Sequence, residues 1–194
     1  MLIVRAPMRL SFAGGGTDLP AYYREHGGMV VSTSIDKYVY VFISPNGFGS
    51  LQISSSDYST FFRHAGGEEV EEEGKLRYAR AFLRHFGVRA GYSLFMASEM
   101  PPGTGLGSSS SLSVALTKAL AALRGDVLSK DDVALQASSI EIDKLKMPIG
   151  RQDHYASAFG GINAIHFGRE EITVESLRVS AATRRWLEDS LMIF

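Results

Sequence analysis

The run Pro101-Pro102-Gly103-Thr104-Gly105-Leu106-Gly107-Ser108-Ser109-Ser110-Ser111 stands between two segments of different periodicity, and no single element can pass through it. Before it, residues 91–98 read as a strand. After it, Leu112, Ala115, Leu116, Ala119, Leu120 and Leu123 recur at helical spacing, with Gly125 where a C-terminal cap belongs. The chain must therefore build strand, glycine loop and helix here, in that order. Glycine admits positive φ and close backbone approach, so successive N–H groups can turn toward an anion, and the following helix adds the positive end of its dipole. Such a loop holds phosphate. Taken alone it is equally readable as a surface turn with serine caps. It is not the Walker form, because no Gly-Lys-Ser/Thr closes it, and it is not the dinucleotide fingerprint.

Around this centre the periodicities alternate irregularly. Residues 2–12 read as a strand stopped by Gly14, Gly15 and Gly16. Val30, Val31, Ile35, Val39, Val41 and Ile43 among polar neighbours predict a strand pair over 29–44, and 51–55 a shorter strand. Leu76, Ala79, Phe82, Leu83 and Phe86 predict a helix, with the acidic run Glu68 to Glu73 as its solvated entry. Ser129 and Asp132 resemble a capping box, opening a third helix that ends before Pro148. A hairpin over 160–167 and 172–177 and a short helix over 181–189 follow. Strands and helices in this mixture predict an α+β fold rather than an alternating parallel sheet.

At 194 residues and 45% hydrophobic, the chain is long enough for one sizeable domain or for one domain and the start of another. Twenty basic against 21 acidic residues leave a net charge of -1, so no overall field favours nucleic acid or a membrane surface. No apolar run reaches the roughly 20 residues of a membrane span. With no cysteine there is neither a disulfide framework nor a thiolate metal site, which fits a cytoplasmic protein. The chain closes on Leu191-Met192-Ile193-Phe194, which reads as a strand awaiting a partner and so predicts a partial chain.

Several residues outside the loop can carry chemistry. Asp153, between Pro148-Ile149-Gly150 and an aromatic stretch, is expected in a fixed, partly buried turn, where its charge needs a cation or metal. A turn-capping role is the alternative. Arg9 lies on an apolar strand and needs an anionic partner, for which Asp153 or a phosphate would serve; an exposed edge position would remove that need. Thr17 and Asp18 end the glycine turn with two groups suited to hydroxyls, or simply cap it. Glu141 and Asp143 are carboxylates near the end of the third helix. The five histidines show no metal-ligand spacing and read as structural. Residues 54–58 and 77–84 are candidate adenine surfaces.

Together, Arg5-Ala-Pro-Met-Arg-Leu-Ser-Phe-Ala-Gly-Gly-Gly-Thr-Asp18, the loop Pro101 to Ser111 and Gly150-Arg-Gln-Asp-His-Tyr-Ala-Ser-Ala-Phe-Gly-Gly161 resemble the GHMP superfamily of sugar and metabolite kinases. The first and third of these look like its heptose 7-phosphate kinase branch, which includes fucose-type kinases. The resemblance implies the GHMP kinase N-terminal domain (ribosomal protein S5 domain 2-like) over residues 1–168. Residues 169–194 would then lead into a C-terminal ferredoxin-like domain that is missing or only begun, since no second glycine-rich motif follows Gly161.

It further implies ATP and Mg²⁺ as cofactors, with Pro102, Gly103, Thr104, Gly105, Leu106, Gly107, Ser108 and Ser109 cradling the phosphates and Ser109 and Glu141 holding the metal. Asp153 would be the catalytic base and Arg9 the basic group beside it. Gly15, Gly16, Thr17, Asp18, Arg151 and Gln152 would face the sugar. The implied substrate is a small-molecule sugar phosphate, D-glycero-D-manno-heptose 7-phosphate accepting at its anomeric hydroxyl, with a fucose-type or other hexose kinase, or a nucleotide-binding fragment without turnover, as alternatives. A homodimer is compatible with all of these readings.

Overall fold

The computed structural model describes residues 1–56, 60–64 and 76–192. In chain order these form β1 (Leu2–Ala13), α1 (Pro20–His26), β2 (Gly28–Pro45), β3 (Leu51–Ser55), β4 (Thr60–His64), α2 (Arg77–His85), β5 (Tyr92–Ser98), α3 (Ser108–Arg124) and α4 (Lys130–Ser139), which runs on into a π-helical turn (Ile140–Lys144). Then come α5 (Gln152–Phe159), β6 (Ile162–Phe167), β7 (Ile172–Ser176) and α6 (Ala181–Ser190).

The expected strand pair over 29–44 is one strand. β2 runs 18 residues without a turn: Val30 and Ser32 are buried in its first half, Val39, Val41 and Ile43 alternate toward the core in its second, and no Gly, Pro or Asn interrupts it between Met29 and Ser44. One edge of β2 carries β1 along its length, from Leu2↔Ile43 to Ala13↔Val31. The other edge forks: β6 pairs with Gly28 to Thr33 and β5 with Val39 to Pro45. β3 joins β5 in parallel, β4 joins β3 and β7 joins β6, both antiparallel. The sheet is mostly antiparallel, with β3–β5 its parallel pair, in line with the expected α+β fold, and β7 belongs to it.

The fork at residues 34–38 positions everything that follows. β5 ends there at Ser98 and releases the glycine loop; β6 begins there at Ile162, just after α5. On the other side, β1 pairs Pro7 with Tyr38 and Arg9 with Ser34, a register slip that leaves Met8 opposite three residues of β2. The Pro7 carbonyl, freed from the ladder, accepts the Ser111 hydroxyl of α3 and the Ser157 hydroxyl of α5, each at 2.8 Å. The Arg9 amide donates to Leu106 of the loop at 3.1 Å. One irregular stretch of β1 thus docks two helices and the loop.

The main core joins Val41, Ile43, Leu51, Ile53 and Leu94 of the sheet to Ala79, Phe82 and Leu83 of α2 and Leu116 and Leu120 of α3. A second cluster, Tyr23, Val30, Tyr155, Ile165 and Phe167, seats α1 and α5 on β6. Met8, Val39 and Leu106 form a third beneath the loop. The anticipated Gly125 cap has φ +82°, and the Ser129/Asp132 capping box is present. Three elements had no signal in the sequence reading: α1, β4 and α5. The segment around Asp153, expected as a turn, is the first turn of α5. The acidic run Glu68 to Glu73 and Tyr58 lie outside the described residues, as do Ile193 and Phe194. Among the described residues no helix is long and apolar enough to cross a membrane.

Candidate active site

Gly103, Gly105 and Gly107 have φ of +85°, +74° and +73°, so every second residue of the loop is left-handed and the backbone folds into a concave arc. Gly107 is fixed sterically as well: a Cβ there would lie 3.2 Å from Asp153 Oδ2 and 3.4 Å from Arg9 Cγ. It is also the N-cap of α3, and no side chain caps this helix, whereas serine hydroxyls cap α4 and α6. The first α3 amide to find an intrahelical partner is Ser111, on Gly107 O. The amides before it keep the donor capacity that an anion takes up.

Facing this helix end, Arg9 holds Asp153 in a two-pronged contact. Its Nε donates to Oδ1 at 2.7 Å and Nη2 to Oδ2 at 2.6 Å, while Nη1 donates to the Gly105 carbonyl at 2.5 Å. The fork of a guanidinium matches a carboxylate in this way and a lysine would not. Both side chains retain some exposure, 12% for Arg9 and 21% for Asp153. They border a cavity of about 300 Å³ whose other walls include Gly103, Gly107, Ser108, Ser109, Leu112 and Tyr78. The cationic partner expected for Asp153 is therefore Arg9, and the loop, Arg9 and Asp153 share one cleft. Tyr78 brings the 77–84 candidate surface to this cleft; residues 54 and 55 lie in β3 and do not line it.

Glu141 lies behind that wall. The π-helical turn swings it inward until it is fully buried, while the Asp143 side chain remains 63% exposed, 3.9 Å from Arg151. The Ser113 and Tyr78 hydroxyls donate to the Glu141 carboxylate, and His154 Nε2 lies 3.2 Å from it. Burial alone pushes this carboxyl up; the His154 ring, then the Ser113 and Tyr78 hydroxyls, reverse that and hold it below its ordinary value. Ser109 stands on the cleft one helical turn before Ser113 on the same face of α3. A hydroxyl and an ionised carboxylate are the hard oxygen donors that Mg²⁺ accepts, with phosphate oxygens supplying the rest. By donor chemistry the pair suits that ion, but only Ser109 lines the cleft; Glu141 is fully buried and already accepts from Ser113 and Tyr78. Among the described residues no group of three or more His, Asp or Glu could hold a metal without such help.

The remaining expected residues sit differently. Gly15 is close to the start of α5, its Cβ position 3.8 Å from Gln152 Nε2, but neither residue lines the cavity. The Thr17 hydroxyl donates to Gly14 O at 2.7 Å and accepts the Met29 amide at 3.1 Å. Asp18 is only 2% exposed, with its carboxylate on the Gly16 and Gln152 amides. Arg151 is also buried, and its Nη1 donates to Ser138 at 2.7 Å, away from the loop. Tyr78, Ser113 and His154 were not singled out by sequence reasoning. Ser113 alone carried a usable signal, four residues after Ser109 on the helix that the loop opens.

Residues 75–161 match the family model described as the GHMP kinases N terminal domain. Fold and match point the same way: the stretch from just before α2 to just after α5, which holds the glycine loop, Glu141 and Asp153, is similar to that domain. It is 30% identical over 193 residues to the D-glycero-alpha-D-manno-heptose 7-phosphate kinase of Campylobacter jejuni, covering 96% of this chain and 56% of that protein. The crystal structure of a D-glycero-D-manno-heptose 1-phosphate kinase from Bacteroides thetaiotaomicron superposes with a TM-score of 0.87 at 27% identity, covering 98% of this chain and 63% of that one. The L-fucokinase/L-fucose-1-P guanylyltransferase of Bacteroides fragilis is 24% identical over 216 residues, covering 96% of this chain and 22% of that protein. The chain spans just over half the length of the Campylobacter relative.

Proposed function

We propose that this chain forms the nucleotide-binding half of an ATP-dependent sugar kinase whose acceptor is the anomeric hydroxyl of D-glycero-D-manno-heptose 7-phosphate, giving the 1,7-bisphosphate. The observation that carries the reading is the Arg9–Asp153 pair packed against Gly107, the N-cap of an uncapped helix, so closely that a Cβ there would lie 3.2 Å from Asp153 and 3.4 Å from Arg9. A phosphoryl donor and a hydroxyl acceptor need such a meeting point. The heptose is shared by the names of the Campylobacter and Bacteroides thetaiotaomicron relatives, which differ in the phosphate they specify.

In this reading the amides of Gly103 to Ser109 and the α3 dipole bind the ATP phosphates. The acceptor oxygen attacks the γ-phosphorus as the bond to the bridging oxygen of ADP breaks, and its proton passes to Asp153. Arg9 holds Asp153 in place and adds positive charge where the transferring group becomes most negative. Ser109 and Glu141 are the residues that would hold Mg²⁺, whose contribution is to neutralise phosphate charge. Gly15, Gly16, Thr17 and Gln152 border the sugar side, with Asp18 and Arg151 behind them.

The test is ADP release by the full-length protein with heptose 7-phosphate or L-fucose as acceptor. Release with the heptose phosphate at a kcat/KM at least about 100-fold above that with fucose is expected, a ratio that a site built to pair the acceptor's polar groups can reach. The reverse order would replace the heptose by a fucose-type acceptor. MgATP binding without release for either sugar would reduce the protein to a nucleotide-binding one.

A further inference from the structure

Asp18 is the acid of the glycine turn, and two of the three hydrogen bonds to its side chain come from Gln152, the neighbour of Asp153. Its Oδ2 accepts the Gln152 amide at 3.0 Å and Oδ1 accepts Gln152 Nε2 at 3.3 Å and the Gly16 amide at 3.0 Å. Its carbonyl accepts the Arg151 amide at 3.3 Å. Gln152 is the first residue of α5, whose N-cap is Arg151, and no side chain of the helix's own cap position serves it. We propose that the Asp18 side chain, from 134 residues away, caps the N-terminus of α5 in place of the Arg151 side chain, and that it positions Asp153 for its contact with Arg9 rather than touching the sugar.

Three observations bear on this independently. Asp18 is 2% exposed, so an acceptor hydroxyl has no path to its carboxylate without opening the turn. Its negative charge lies at a helix N-terminus, where both the dipole and the orphan amides favour it. The fit is also sterically closed: a Cβ at residue 150 would fall 1.8 Å from Asp18 Oδ2 and 2.4 Å from Cγ, so only glycine allows the carboxylate to reach the helix. Asp153 follows Gln152 directly, and a rigid-body tilt of the first α5 turn would move it off the Arg9 fork. Capping, the glycine at 150 and the ion pair are then one device, which also ties the Gly14 to Asp18 turn to the helix bearing the proposed base.

The catalytic part of this inference rests on the kinase reading; the geometric part does not. Asp18→Asn keeps the shape and one acceptor oxygen, and Asp18→Ala keeps neither. In the full-length protein, amide exchange at Gln152 and Asp153 should quicken by about tenfold or more in Asp18→Ala, with Asp18→Asn intermediate and β2 unchanged. The Arg9 Nε–H signal in ¹⁵N spectra should broaden or move in the same order. With heptose 7-phosphate, kcat should fall about 10- to 100-fold while the sugar KM stays within about twofold. Gly150→Ala should reproduce these losses alone and cost far less in the Asp18→Ala background, since the clash is then gone.

Unchanged exchange and an unchanged Arg9 signal in Asp18→Ala overturn the proposal. So does a raised sugar KM at constant kcat, which would make Asp18 a sugar contact, or faster exchange with no loss of kcat, which would make the cap structural only. If the wild-type protein releases no ADP with either sugar, the kinase reading fails, and the exchange and Arg9 signals still decide whether Asp18 caps α5 and fixes Asp153.

Discussion

Asp153 makes two hydrogen bonds to Arg9 and keeps 21% of its side-chain surface, a combination that leaves the carboxylate both fixed and reachable. In the proposed kinase reading Asp153→Asn preserves shape but removes the proton acceptor, so kcat should fall by about 10²- to 10⁴-fold, the span of a lost general base. MgATP affinity should change little, because the phosphate loop does not depend on that charge; isothermal titration beside ADP release checks both halves. A wild-type rate would remove Asp153 from the chemistry. Ser113→Ala makes a different prediction. It takes one donor from a fully buried carboxylate, and stability should drop by about 1–3 kcal/mol, seen as a lower urea midpoint with an unchanged m-value. Arg9 and Asp153 were legible in the sequence because each is a charge among apolar or fixed neighbours and so demands a partner. The Glu141 cluster was not, since its partners Ser113 and Tyr78 lie 28 and 63 residues away and none of them breaks a local pattern.

The start of α4 is set locally and was read correctly; the start of α5 is set from a distance and was not. α4 begins with Ser129 and Asp132 bonding each other's amides, four residues that contain the whole signal. Ser129→Ala should cost about 1 kcal/mol, the usual worth of an N-cap hydroxyl. The Ser129 hydroxyl, then its amide, hold the Asp132 carboxyl below its ordinary value. Because that value is lowered on folding, the contribution is present at neutral pH and is lost as pH falls through the lowered range. The stability difference between wild type and Ser129→Ala should therefore narrow in acid, which thermal melts at neutral pH and in acid would show. α5 begins where Asp18 reaches it, so Pro148 and Gly150 looked like an ordinary turn. In β2 the reverse happened: a strand pair was expected over 29–44, but the slip in β1 opposite its middle absorbs the irregularity and one strand continues.

At the scale of the molecule, the forked edge of β2 explains why loop and helix meet at all. β2 divides its second edge between β5 and β6, and the gap between them receives the ends of both the glycine loop and α5. No local pattern announces such a fork, which is why the motifs could be listed from the sequence but not brought together without the fold. The same topology makes β6 depend on β7. Five residue pairs, Asn163↔Ser176 to Phe167↔Ile172, cover the outer edge of β6, and Ile172 and Val174 pack on the cluster that seats α5. A chain cut after Phe167 would lose both side chains, and half-burial of two such residues is worth about 2 kcal/mol. For a protein of this size that corresponds to a melting temperature lower by about 4–8 °C. It would also bare the β6 backbone as an unprotected edge, so light scattering on heating should rise earlier. A cut after Arg178 keeps β7 and should spare both quantities. If the two cuts melt and aggregate alike, β7 is an ornament of the sheet, and the seat of α5 rests on α1 and β6 alone.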